Sequence, residues 1–251
     1  MNSYLDSGSG FPAGTRINTD KGLVCIQDIN VGDLVLSKPQ NGQGELCYKP
    51  VLRTVSYENK EIWKLHYFEI QASTDISKLH KDKLLQLSHK GKLSGVAMTA
   101  DYLFWVKDSG WTRLDELKNG QIIKTMNPDV VALVFMVNPL RKTTMPNIAG
   151  GYHVRNLFDA DRKGFDIENV DYFDLFKYDK SGLCGIPDQN SPSPLKMNGQ
   201  NVYVLEDTFK LTVYNVEVAD YDTCFIFNDG LWVHNLSTKV NSCLSIIRES
   251  Y

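Results

Sequence analysis

The chain has no excess of positive charge, no long apolar run and no ordered set of cysteines, and each absence removes a class of function. Its 251 residues carry 27 Lys and Arg against 30 Asp and Glu, a formal net charge of −3, and the basic residues are scattered. Nucleic-acid binders neutralise phosphates with a concentrated basic face, so neither DNA nor RNA is expected as a partner. No segment reaches the roughly 18 uninterrupted apolar residues that a bilayer span needs, and Met1 to Gly10 hold neither an apolar core nor a basic run. No membrane partner and no secretion signal are therefore expected. Location stays open between the cytoplasm and export within a larger secreted polypeptide. Cys25, Cys47, Cys184, Cys224 and Cys243 are odd in number, widely spaced and without a C-x-x-C pair, which predicts thiols rather than a disulfide framework. His66, His80, His89 and His153 lack metal-ligand spacing with any cysteine. Asp159-Ala160-Asp161 starts like a calcium loop, but Lys163 and Val170 stand where that loop needs oxygen ligands. No metal and no cofactor is expected.

What is present is punctuated β-sequence. With 42% hydrophobic residues the chain is long enough to bury a proper core. Short runs such as Leu23 to Ile26 and Asp33 to Leu36 alternate with turn residues, which predicts antiparallel strands and hairpins. Residues 51–70 fit one or two further strands, and the Lys-rich stretch 71–92 reads as a loop. Gly95 to Val106 reads as one strand. Ile26 to Asp33 and Leu114 to Gly120 share a design, a short turn with apolar residues three apart and a closing glycine before the next strand. Two such copies hint at internal symmetry. Residues 127–200 differ in texture, with frequent Pro, Asn, Gly and Asp, the apolar run Val130 to Val137, and an acidic segment marked by Phe158, Phe165, Tyr172, Phe173, Phe176 and Tyr178. They read as an insertion with its own apolar patch. Near the end, Asp229-Gly230 between two β-rich runs is a strong hairpin signal. That hairpin presents His234-Asn235 at its rim.

Gly10-Phe11-Pro12-Ala13-Gly14-Thr15 and Leu231-Trp232-Val233-His234-Asn235 resemble the first and last blocks of the Hint (Hedgehog/intein) autoprocessing family. A middle block matches through Thr99, Phe104-Trp105-Val106, Gly110-Trp111 and Leu117. A later one matches through Val213 to Val218, Tyr221, Thr223 and Phe225. Tyr48-Lys49-Pro50-Val51 is similar to the continuation found in bacterial Hint domains attached to polymorphic toxins. The resemblance implies an all-β, pseudo-two-fold horseshoe of antiparallel strands over residues 10–235, with an inserted segment at about 127–200. Residues 1–9 would be a flexible flank and residues 236–251 a tail. It also implies single-turnover peptide cleavage in cis, with the chain's own flanking polypeptide as partner and a monomeric body.

The departures from the family fall on reacting groups. Gly10 stands where a Cys or Ser nucleophile is usual, Tyr102 and Asp222 stand where histidines are usual, and Leu236 follows the terminal Asn where splicing members carry Cys, Ser or Thr. Gly10 has no atom that can attack, which removes nucleophilic catalysis at the amino end. Ser9 lies one residue out of register and loses the benefit of proximity; Ser7 and Ser9 read as linker. At the other end the parts remain. The Asn235 side-chain amide can cyclise onto its own carbonyl and break the bond to Leu236, while His234 protonates the leaving amine as general acid. Thr99 is either a surviving hydrogen-bonding group at the scissile peptide or an ordinary strand residue. Asp222 is a solvated loop residue or a group orienting His234. Trp105, Trp111 and Trp232 read as core packing.

The expected function is thus a degenerate self-processing domain, limited to slow Asn235-driven release of the tail and incapable of splicing. The alternative is a silent Hint remnant acting as a scaffold or interaction module. If the amino-end pocket is preserved, Gly10→Cys with Tyr102→His should restore thiol-sensitive cleavage there.

Overall fold

The computed structural model describes residues 8–76, 93–152, 170–174, 195–197 and 199–234, and in these the elements are strands and short 3-10 turns. β1 (Phe11–Pro12), β2 (Arg16–Thr19), β3 (Gly22–Cys25), β4 (Leu34–Ser37) and β5 (Cys47–Glu61) lead into β6 (Trp63–Gln71) and β7 (Leu93–Met98). β8 (Leu103–Val106), β9 (Gly110–Arg113), β10 (Ile122–Lys124) and β11 (Val130–Pro139) repeat the opening layout. Then come β12 (Arg141–Thr143), β13 (Ile148–Tyr152), β14 (Val170–Asp174), β15 (Leu195–Met197), β16 (Gln200–Val202) and β17 (Val204–Thr208). The chain returns through β18 (Lys210–Val218), β19 (Thr223–Ile226) and β20 (Leu231–His234).

Fourteen strands form one antiparallel sheet in the order β1-β18-β5-β4-β2-β19-β20-β8-β10-β11-β6-β7, with β3 attached to β2 and β9 to β8. The order is a pseudo-palindrome about the β19–β20 hairpin. The pairs β2–β3, β2–β4, β4–β5, β5–β18 and β18–β1 on one side match β8–β9, β8–β10, β10–β11, β11–β6 and β6–β7 on the other. The two sequence copies are symmetry mates in detail. Ile26–Asp28 and Leu114–Glu116 are both 3-10 turns, and their first amides donate to Thr15 O at 2.7 Å and Tyr102 O at 2.9 Å. Gly32 and Gly120 follow at φ 92 and 83, a left-handed conformation that favours glycine, and each donates at 2.9 Å to the neighbouring strand, at Val51 O and Val134 O. Ile17, Val35, Phe104, Ile123, Ile226 and Leu231 from both halves share one buried core.

The symmetric layout overturns two expectations. The apolar run Val130 to Val137 is β11, which pairs with β6 and β10 in the main sheet. Ala132 and Val134 face the shared core, while Leu133 packs with Phe68 and Ile70 on the opposite face. Its hydrophobicity belongs to a strand buried on both sides, as does that of β6, where Lys64 and His66 are as buried as Leu65 and Tyr67. The departure from the main sheet starts at β12, which joins β13, β14 and β17 in a four-stranded sheet. Second, Gly95 to Val106 is two strands, because the chain turns at Thr99–Tyr102, with Tyr102 N donating to Thr99 O at 3.4 Å. The loop expected at 71–92 lies largely outside the described residues, as does Asp159 to Gly164.

Asn228-Asp229-Gly230 makes the expected hairpin turn between β19 and β20. Tyr67 on β6 fastens it, its hydroxyl donating to Asp229 Oδ2. Burial, with Asp229 beside it, holds the phenol well above its usual pKa and so keeps it a donor. Tyr67→Phe is expected to lower the unfolding free energy by about 1.5–3 kcal/mol, the range for a hydrogen bond to a charged acceptor, as read from urea melts.

Candidate functional site

Both ends of the palindromic sheet meet on the short segment 99–103. Thr99 follows β7 and Gly10 precedes β1, and they bond reciprocally. Thr99 N–H donates to Gly10 O at 3.0 Å, and Gly10 N–H donates to Thr99 Oγ1 at 3.0 Å. Three residues on, the Tyr102 ring packs on Phe11 with centroids 4.3 Å apart. The next residue, Leu103, is the cross-strand partner of His234. Four residues span at most about 14 Å when extended, so the start of the domain and the His234 corner are neighbours. Gly14, at φ 89, lets the chain turn sharply enough after Pro12 to enter β2, which fixes Gly10 against Thr99.

The Ser9–Gly10 peptide is held at both of its polar atoms. Its N–H meets Thr99, and its carbonyl accepts from Asn215 Nδ2 at 2.9 Å. The Asn215 amide is oriented in turn: its Oδ1 accepts from Val216 N–H at 2.9 Å and from the Tyr102 hydroxyl at 3.1 Å. That leaves Nδ2 facing Ser9. Tyr102 is buried, and burial first, then the nearby Cys224 and Asp101, pushes its phenol well above the ordinary pKa. It stays protonated and donates. Thr99 therefore touches the peptide bond, and Tyr102 acts on it through Asn215.

This arrangement satisfies both polar atoms of the peptide bond. A donor on the carbonyl and an acceptor on the N–H both favour the planar, resonance-stabilised amide. Breaking the C–N bond requires a nucleophile on carbon and a proton on nitrogen, and the Thr99 and Asn215 contacts supply neither. Nor is there a vacant seat for a nucleophile at Gly10. A Cβ there would lie 2.6 Å from the Tyr214 carbonyl oxygen and 3.0 Å from Val213 Cγ2. Ser9, expected as flexible linker, is buried with its carbonyl bound; Ser7 lies outside the described residues. Cys224 is the buried thiol on this side, and burial pushes its pKa up to about 12, so it is not a thiolate near neutral pH.

His234 ends β20 between Thr223 on β19 and Leu103 on β8. Its ring meets Trp111 edge-on with centroids 5.0 Å apart. Thr223 ties this corner to β4, donating to Lys38 O at 2.6 Å, while Ser37 Oγ donates to Thr223 O at 2.7 Å. Asp222, next to Thr223, is not solvated as a loop residue would be: it is buried at φ 50, and it accepts from Gln40 Nε2 at 3.5 Å. Asn235 lies outside the described residues. Cys25, Cys47 and Cys224 carry no disulfide. Among the described residues no three His, Cys, Asp or Glu side chains converge where a metal could be held, and no helix is long and apolar enough to cross a membrane.

Asn215 is the functional residue that the sequence reading missed, because it sat inside a block matched as scaffold. A signal was available: Val213 and Asn215 share the inward side of β18 by strand alternation, and a buried amide demands partners.

No protein-family model and no curated protein matches the chain. Among solved structures it is similar to a bacterial intein-like domain from Clostridium thermocellum, at 19% identity and a TM-score of 0.48, over 91% of this chain and 100% of that one. It is also similar to a DnaB intein from Synechocystis sp. PCC 6803, at 12% identity and 0.45 over 90% and 97%, and to the gp41-1 intein, at 14% and 0.43 over 91% and 100%. Likeness at this level says nothing about chemistry, which has to come from the residues of the site.

Gly10→Ala is expected to lower the unfolding free energy by about 1–3 kcal/mol, as overpacking typically does, in the same urea assay. Gly10→Cys with Tyr102→His meets the same obstruction and loses the Asn215 contact. It should give no thiol-dependent release of an amino-terminal fusion when mass is followed in dithiothreitol.

Proposed function

We propose that the chain is a Hint-type self-processing domain, of the kind attached to bacterial polymorphic toxins, that cuts only on its carboxy side. The reading rests on one observation: the segment 99–103 brings the Ser9–Gly10 peptide and the His234 corner together, with the first held at both polar atoms. The amino-terminal junction is then an anchor, and the body stays joined to whatever precedes it.

At the carboxy side, Asn235 Nδ2 attacks the Asn235 carbonyl carbon. A succinimide forms, the C–N bond to Leu236 breaks, and the attacking nitrogen gives up one proton as the departing amine takes one. His234 delivers that proton. A positioned general acid contributes about 10²–10⁴-fold, and holding Asn235 close to attack geometry adds to it. With the amino-side steps removed, nothing upstream drives this one, so it is slow.

Purified protein incubated near neutral pH for days is expected to lose the Leu236–Tyr251 peptide by intact mass. The product should end in a succinimide or its hydrolysis products, and Asn235→Ala should abolish the loss. An unchanged wild-type mass would leave the domain as a silent scaffold.

A further inference from the structure

A groove of about 950 Å³ lies beside the His234 corner and plays no part in the chemistry above. Trp105 gives it an aromatic face backed by the buried Trp232, which stacks on it with centroids 5.0 Å apart, and Trp111 stands edge-on to both at 5.2 and 4.8 Å. Lys38 and Lys124, which also line it, place ammonium groups 5.8 Å from the Trp232 ring and 5.3 Å from the Trp105 ring. The Trp232 indole N–H, on a side chain 1% exposed, has no hydrogen-bond acceptor among the described residues. A buried indole N–H ordinarily finds an acceptor.

The charged groups beside the Trp rings are two ammonium groups. Across the whole lining, Lys38, Lys107 and Lys124 stand against Glu45 and Asp108. The volume is at the upper end of the range of about 300–1,000 Å³ typical of ligand sites, enough for several residues of extended chain. We propose that the groove binds an extended segment of a partner polypeptide in which acidic residues alternate with aromatic or large aliphatic ones. The apolar side chain lies on Trp105, and flanking carboxylates meet Lys38 and Lys124. The chain's own carboxy tail has the wrong charge for this role, with Lys239 and Arg248 against Glu249.

The test is a tryptophan-fluorescence titration of the full chain with three synthetic probes: a capped peptide of alternating aspartate and phenylalanine or leucine, its asparagine counterpart, and the Leu236–Tyr251 peptide. Saturable binding of the acidic probe is expected, at least about tenfold tighter than either other probe and weakened by salt. Lys38→Glu with Lys124→Glu should weaken it by a further factor of about ten, with circular dichroism unchanged. No saturable change with the acidic probe, equal binding of the asparagine probe, or preference for the tail peptide overturns the proposal, and these comparisons need only the wild-type protein.

Discussion

The reciprocal pair of hydrogen bonds between Gly10 and Thr99 is the constraint on which the rest of the architecture depends. β1 and β7 are the outermost strands of a long antiparallel path, and an open sheet leaves unpaired backbone groups at each end. Joining the residue before β1 to the residue after β7 brings those ends together and curls the ribbon on itself. The turn at Thr99–Tyr102 makes this join, and the same turn hands the chain to β8, where Leu103 faces His234. Closure of the sheet and assembly of the site are one structural event.

The residues around the Ser9–Gly10 peptide form one connected set of contacts. Tyr102 supplies a phenol that remains protonated and orients Asn215. Asn215 then satisfies the Ser9 carbonyl, Thr99 satisfies the Gly10 amide, and the space a side chain at residue 10 would need is taken by the backbone of Tyr214. Leaving any of these buried groups unpaired would cost about 1–3 kcal/mol. The contacts thus satisfy every polar atom of the Ser9–Gly10 peptide.

Local signals carried much of the fold. Asp229-Gly230 marked the final hairpin, and the matched turns at Ile26 and Leu114 marked two symmetric halves, because turn chemistry is encoded in a few adjacent residues. Three features were hidden because they depend on partners far along the chain. Val130 to Val137 could not be distinguished from an insertion's own core, since what buries its second face is β6 and its neighbours. Asp222 read as a loop carboxylate, but it is buried and meets Gln40, 182 positions earlier. Asn215 lay in a strand of correct pattern, and its role exists only through Ser9, 206 positions earlier.

That separation has a consequence for how the protein is made. β1 and β5 await β18, β2 awaits β19, and β8 awaits β20, so these four strands leave the ribosome without one of their neighbours. Such distant pairings fold slowly, because loop closure precedes any reward from contact. The site draws on Ser9, Thr99, Asn215 and His234 and exists only once the last of them has been synthesised. Its assembly is therefore timed by translation order, with β20 the last of the described strands to arrive.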